Sequence, residues 1–475
     1  MTKQTKIIAT ISDKRCDVEF IRALFNEGMN IVRLNSAHMD TDGFNRVITS
    51  VRAVSSQIGI LIDTKGPEIR TAFTPAPIKI KAGEELKITG NPELESSKEL
   101  IALTYANLVR DVSIGTHILI EDGKNEVVVI SKTENYLLCK ALNDGEIGSR
   151  KNVNIPSVRL NLPSLTERDK NNILYAIENN VDFIAHSFVR NKQDVMDVQK
   201  ILDDHHSDIK IIAKIENQDG VDNVDEILKH AYGLMVARGD LGIEVAQEKI
   251  PGIQRILIRK SVIARKPVIV ATQMLDSMMN NPRPTRAEVT DVANAIFYRT
   301  DAIMLSGETA SGKYPVEAVR TMTKIAEEAE KEKENDIKIP YNPYKNDITS
   351  FLSKQAVESI EYMDTKAIIT DSVTGKTARY LAAYRGSCPI LAICYKENLI
   401  RQLAISYGII PLYQKIEKGT PYFFTALETL IKEGYLHDDD KIVYLGGNKI
   451  KSGTTFLEIN RVNHIMSHEK RCYST

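Results

Sequence analysis

The sequence predicts an α/β protein: a (β/α)8 barrel of the TIM type, with an inserted small β-barrel lid domain and a C-terminal α/β sandwich domain. Three observations predict it. Short apolar runs alternate with amphipathic helical stretches eight times between residues 1 and 340. The alternation is broken once, over residues 67–162, by short alternating strands with Gly and Asn turns. Beyond a charged stretch, residues 345–475 resume as a separate set of helices and strands.

In chain order, KIIAT is the first strand, and VEFIRALFNEG sets Phe20, Ile21, Leu24 and Phe25 on a helical stripe closed by Gly28. NIVRLN is the second strand, FNRVITSVRAVSSQ its helix and GILIDT the third strand. PIKIKAGEELKITG, HILIEDGKNEVVVIS and YLLCKALNDGEIGS then read as antiparallel β-structure, a small barrel or sandwich. This insertion leaves at KGPEIRT and returns at NIPSVRLNLPSLTERD, and proline at both ends suits a hinged lid. A passive β-domain would carry the same pattern.

Thr166 N-caps the helix TERDKNNILYAIENN, and the alternation resumes. VDFIAHSFV is strand four and KQDVMDVQKILDDHH its helix. IIAKI is strand five, VDNVDEILKHA the next helix and GLMVA strand six. QRILIRKSVIARK leads to strand seven, PVIVAT, and TRAEVTDVANAIFYR to strand eight, DAIMLS. PVEAVRTMTKIAEEAEKE is the eighth helix, and EAEKEKENDIKIP ends it and links to the third domain. The domains are therefore expected at 1–66 and 163–340 for the barrel, 67–162 for the lid and 345–475 for the α/β unit.

Composition bounds the function. A chain of 475 residues exceeds one core, and a prior of ~150 residues per domain gives about three. A net charge of -1 offers no electrostatic footprint for nucleic acid or an anionic membrane. The five cysteines (Cys16, Cys139, Cys388, Cys394, Cys472) form no CxxC pair, as in a reduced cytoplasmic protein. The N-terminus lacks a signal-peptide core, and no apolar run approaches membrane-spanning length.

In such a barrel the residues that follow each strand share one mouth. Strand two delivers Arg33 and Asn35, strand three Asp63, Thr64 and Lys65, and strand five Lys214 and Glu216. Strand six delivers Arg238 and Asp240, strand seven Thr272 and Gln273, and strand eight Ser306 and Glu308. Cations beside carboxylates suit a divalent metal holding an anionic substrate, since Mg²⁺ takes one or two carboxylates plus substrate oxygens. Taken alone, Lys214, Glu216, Arg238 and Asp240 are equally well read as an ordinary salt-bridge cluster. The polarity of the whole ring favours chemistry.

The segments NIVRLN, LIDTKGPEIRT, IIAKIEN, VARGDLGIE, VIVATQML, PRPTRAEVTDVANAI and MLSGETA together resemble pyruvate kinases over essentially the full chain. The resemblance implies transfer of the phosphoryl group of phosphoenolpyruvate to ADP, giving pyruvate and ATP. It implies that Arg33 binds the substrate phosphate and that Lys214 neutralises the transferring group. Glu216 and Asp240 would ligate Mg²⁺ (or Mn²⁺). Backbone amides around Ala237, Arg238, Gly239 and Asp240 would hold the substrate carboxylate. Thr272 would assist protonation of the enolate carbon through water, with Ser306 and Glu308 at relay positions. Asn35, His38, Arg70 and the lid residue Asp122 would face the nucleotide; Lys65 is a further motif residue.

The K⁺ ligands implied are Asn35, Asp63 and the Thr64 carbonyl, plus a serine hydroxyl that is missing here: NSAH places Ala37 at that position. Glu68 nevertheless matches the potassium-dependent branch, so a K⁺-activated enzyme with a weakened or water-completed ion site is expected. Arg168 stands near a position where relatives carry a nucleotide-binding lysine. TDSVTGKTAR lacks the first glycine of a P-loop, Thr370 standing there. It resembles instead a loop that binds a sugar-phosphate effector through Thr374, Lys376 and Thr377, with the SGTT turn nearby; a plain capped helix is the alternative. The segment NPRPTRAEVTDVANAI resembles a subunit interface and implies a homotetramer. His186 and Tyr298 are assigned no role. A phosphoenolpyruvate- or pyruvate-handling lyase and a catalytically silent sugar-phosphate sensor remain as rival readings. The ADP-side residues and the lid speak against the first, and the intact site against the second.

Overall fold

The computed structural model describes residues 3–156, 158, 160–332, 347–415, 422–447 and 453–472. The expected end of the linker, the 340/345 domain limit, Ser452 of the SGTT turn and the last three residues lie outside them.

Eight parallel strands close into a barrel in the order Lys6–Thr10, Ala302–Leu305, Val268–Ala271, Gly233–Ala237, Lys210–Ile215, Phe183–His186, Gly59–Asp63 and Ile31–Asn35. All are buried along their length except at Arg33, Asn35 and Lys210. Burial on both faces is why they read as continuous apolar runs. The helices outside are started by local chemistry. Asp17 accepts from the Phe20 amide, and Thr166 and Thr285 form capping boxes with Asp169 and Glu288. Gly28 ends the first helix at φ +108, where a Cβ would lie 2.7 Å from Thr323 Oγ1.

One local expectation is corrected and one helix is added. The stretch after strand five is two helices, Gln218–Asp222 and Val224–His230. Asn217 caps the first through Gly220, and Asn223 at the break donates to the Arg190 carbonyl. Strand six runs straight into a short helix, Arg238–Glu244, which apolar periodicity did not announce.

The lid is a seven-stranded sheet plus a two-stranded ribbon. Its two edges meet at a bridge between Thr71 and Leu103, flanked by Ala72 N to Ala102 O (2.8 Å) and Thr104 N to Arg70 O (2.9 Å). The sheet thereby curls round its own apolar core as a small barrel rather than a sandwich. In the third region, Ile409–Tyr413, Ile390–Cys394, Ala367–Ser372 and Lys441–Gly446 are parallel neighbours, with Phe456–Arg461 antiparallel at one edge. Apolar clusters cover both of its faces.

This α/β unit seals the foot of the barrel. Ala404 and Ile405 pack against Ile8, Ile31, Leu61, Phe183, Ile212, Met235 and Ile269. Around that plug Arg401 Nε meets Asp182 Oδ1 at 2.6 Å and Arg385 Nη2 meets Asp301 Oδ2 at 2.9 Å. With the foot closed, the accessible end is the mouth, where the strands' C-terminal ends and the lid face each other.

Candidate active site

The mouth is built on a buried ion cluster. Arg33 reaches Asp63 Oδ2 through Nε (2.7 Å) and Nη2 (2.5 Å), and its Nη1 donates to Thr10 Oγ1 at 3.2 Å. Lys214 Nζ lies 3.0 Å from Asp63 Oδ1, 2.9 Å from Glu216 Oε1 and 2.8 Å from Ser187 Oγ. Glu216 Oε2 accepts from the Phe188 amide at 2.6 Å. Burial acts against the Lys214 ammonium, but Asp63 and Glu216 outweigh it and hold its pKa above the ordinary lysine value. Burial likewise opposes the Asp63 carboxylate, and Lys214 and Arg33 overcome it, holding that carboxyl below its usual range. Glu216 is pushed above the ordinary carboxylate range, burial being the largest cause and Lys214 working against it.

Opposite stands a strained turn. Thr272 (φ +69) and Gln273 (φ +54) are both left-handed, an unusual conformation for a β-branched threonine, with a cost of about 1–3 kcal/mol each. The Thr272 hydroxyl accepts from the Gly239 amide (2.8 Å) and donates to the Ala271 carbonyl (2.6 Å). Arg238 does not point into the cleft with free donors. Its guanidinium is committed to the Thr272 carbonyl (2.6 Å), the Gln273 carbonyl (3.2 Å) and Asp291 (2.6 Å). Glu308 is buried, with Oε1 accepting from Leu275 N (3.0 Å) and Oε2 from Ser306 N (2.7 Å). The Ser306 hydroxyl is buried and has no partner among the described residues.

Lid and barrel share a cleft of about 980 Å³ lined by Asp122, Gly239, Asp240, Thr272, Gln273 and Asp291, among others. Asp122 sits on a turn where Glu121, Asp122 and Gly123 all have positive φ, and it accepts from Asn152 Nδ2. At the lid root Arg70 donates to Glu68 (2.8 and 2.6 Å) and to the Arg150 carbonyl (2.7 Å), while Lys65 lies 3.3 Å from Glu68. Beside strand two the Asn35 side-chain oxygen accepts from Ala37 N at 3.1 Å, His38 is exposed, and Arg168 donates to the Ser36 carbonyl.

The site therefore brings together Arg33, Asp63, Lys214 and Glu216 directly, with Asp240 close enough for its charge to act on Lys214. Sequence reasoning missed Ser187, whose hydroxyl touches Lys214, donates to the Thr64 carbonyl at 2.6 Å and lies 3.3 Å from Asp63 Oδ1. It also missed Thr10. Both follow from the rule applied to the other strands, because they lie at the ends of strands four and one. Far from the mouth, Thr374, Lys376 and Thr377 line a separate pocket of about 330 Å³ with Ser372, Gly446 and Thr454. Thr377 and Thr454 hydroxyls meet at 2.8 Å, and Lys376 lies 3.3 Å from Asp347.

Hard oxygen donors line the mouth, and among the described residues no three His, Cys, Asp or Glu side chains converge into a self-sufficient metal cage. That donor set fits a Mg²⁺ ion completed by substrate oxygens. No helix of the described residues is long and apolar enough to cross a membrane.

The model of the pyruvate kinase barrel domain matches residues 2–319, and that of the pyruvate kinase alpha/beta domain residues 351–459. The pyruvate kinase of Borreliella burgdorferi is 46% identical over 97% of this chain and 98% of its own length. That of Bacillus licheniformis is 43% identical over 96% of this chain and 80% of its own. The crystal structure of a pyruvate kinase from Cryptosporidium parvum superposes with a TM-score of 0.92 at 37% identity, over 97% of this chain and 96% of that one. Identity at this level and coverage extends through barrel, lid and C-terminal unit alike: the chain belongs to the pyruvate kinase family.

Proposed function

We propose that the mouth of this barrel transfers the phosphoryl group of phosphoenolpyruvate to ADP, giving pyruvate and ATP. The observation that carries this reading is the Arg33–Asp63–Lys214–Glu216 cluster at the strand ends, joined through the charge of Asp240 to the cleft that Asp240 lines with Thr272 and the lid residue Asp122. Arg33 holds the substrate phosphate, and amides of Ala237, Arg238, Gly239 and Asp240 hold its carboxylate. Lys214 stabilises charge on the phosphoryl group as it leaves the enol oxygen for the β-phosphate of ADP. Asn35, His38, Arg70 and Asp122 line the nucleotide side. Thr272 then guides a proton to C3 of the enolate through water. Ser306, whose hydroxyl is uncommitted, relays it, and Glu308 fixes the backbone of both turns.

Glu216 and Asp240 would hold Mg²⁺ (or Mn²⁺), which supplies charge neutralisation on the substrate oxygens. Asn35, Asp63 and the Thr64 carbonyl would hold K⁺. Ala37 offers no side-chain oxygen there, so the ion site is weaker or completed by water. Thr374, Lys376 and Thr377 form the phosphate end of a sugar-phosphate effector site. Residues 1–66 with 163–340, 67–162 and 345–475 act as barrel, lid and regulatory unit of a cytoplasmic homotetramer.

The test is pyruvate formation from phosphoenolpyruvate and ADP with Mg²⁺, with and without K⁺. Activity that rises with K⁺ is expected. A rate indifferent to replacing K⁺ by a non-activating cation would remove the ion-site reading and leave the kinase. No pyruvate under any ion, even with sugar phosphates added, would remove both.

A further inference from the structure

We infer that Asp291 is a positioning residue for Thr272, acting through Arg238. The Thr272–Gln273 turn lies in left-handed backbone that neither residue favours, so its surroundings must hold it there. Two devices do so. Glu308 fixes the far end of the turn at Leu275, and the Arg238 guanidinium grips the carbonyls of both strained residues through a single nitrogen, Nη2.

A guanidinium is a rigid planar fork, so the direction of Nη2 is set by what its other nitrogens meet. Nε has no partner among the described residues, and Gln254 Oε1 lies at a marginal 3.5 Å from Nη1. Asp291 Oδ2, at 2.6 Å from Nη1, is the strong contact. Asp291 comes from a different element, the helix Arg286–Phe297, and its side chain is 37% exposed against 10% for Arg238. Without it the Arg238 head is held only from the Nη2 side, by the two carbonyls and Met274 Sδ (2.9 Å), and by the marginal Gln254 contact, so its grip on the turn loosens.

The consequence for the reaction rests on the proposed role of Thr272: protonation of the enolate suffers more than capture of substrate. Asp291→Ala, Asp291→Glu and Thr272→Ala are made in the full chain, and exchange of the pyruvate methyl protons with D₂O is followed by NMR with Mg²⁺, K⁺ and ATP. Asp291→Ala is expected to slow exchange about tenfold or more, since small displacements of a reacting group are costly. KM for phosphoenolpyruvate changes less than about threefold, and Asp291→Glu recovers most of the exchange. A crystal structure of Asp291→Ala is expected to show the turn out of its positive-φ conformation or in more than one. Exchange at the parent rate with the turn unmoved overturns the inference, as does a loss that merely tracks a fall in Tm. If Asp291→Ala moves the turn while Thr272→Ala exchanges at the parent rate, the positioning stands and the protonation role of Thr272 falls.

Discussion

The two ends of the barrel carry buried clusters made of the same residue types. At the foot, Asp182 takes Arg401 on one oxygen and Arg52 (3.1 Å) with the Ile60 amide (2.8 Å) on the other. Asp301 takes Arg385 and the Val268 amide on one oxygen and the Tyr407 amide on the other. Each carboxylate is closed off by backbone and arginine on both sides of a domain joint. At the mouth, Asp63, Glu216, Arg33 and Lys214 also pair with one another, but at the open end of the barrel, where the inserted β-domain and the strand ends line a common cleft. Charge composition therefore does not distinguish a docking joint from a catalytic centre. What distinguishes them is whether a ligand can reach the charges: the foot is plugged by Ala404 and Ile405, and the mouth opens on the cleft lined by Asp240 and Thr272.

The contrast can be broken most sharply at Lys214. Lys214→Met is expected to lower kcat per folded molecule on the order of 10³-fold, the scale of losing a group that stabilises transition-state charge, and to lower Tm as well, because Asp63 and Glu216 lose their buried cation. Steady-state kinetics and calorimetry on the same preparation check both halves. Asp182→Ala should cost stability without costing activity. It leaves Arg401 and Arg52 without their buried carboxylate, and roughly 3 kcal/mol of stability is expected to go, read as faster thermal inactivation. Activity per folded molecule should stay close to the parent. Loss of activity from the intact fold would show that the foot is more than a joint.

The smallest effect sharpens the comparison through pH. Lys6 is buried at the foot, donating to the Ile409 carbonyl at 2.7 Å, and burial lowers its pKa from 10.5 to about 8 against the pull of Glu330 and Asp301. Between about 8 and 10.5 the unfolded chain binds more protons at this residue than the folded one, so stability rises with pH across that window. Below it both states are protonated and the burial penalty is fully present. The contribution is at most about 1.4 kcal/mol per pH unit. The Tm of the parent should therefore climb relative to Lys6→Met from pH 8 to 10, and a constant difference would refute the shift.

Much of this was legible in one dimension. Strand and helix order, the interruption by the lid and the α/β character of residues 345–475 are local periodicities, which a chain carries whether or not it is folded. The residues after strands two, three, five, six, seven and eight could be named for the same reason, because a parallel barrel sends every strand end to one face. The family likeness added chemistry to those names.

Tertiary structure alone decided which charges meet. Arg238 reads from the sequence as a mouth cation, yet its guanidinium is turned to the Thr272 turn and to Asp291, a helix residue with no strand-end signature. Ser187 joins Lys214, Thr64 and Asp63 across sequence separations that no local pattern spans. The plug of Ala404 and Ile405, which leaves the barrel open at one end only, reads in sequence as ordinary apolar helix end. The closure of the lid sheet at Thr71 and Leu103 is equally silent. Periodicity reports which face of an element is buried; it does not report what buries it, because that partner is chosen by the packing of the whole chain.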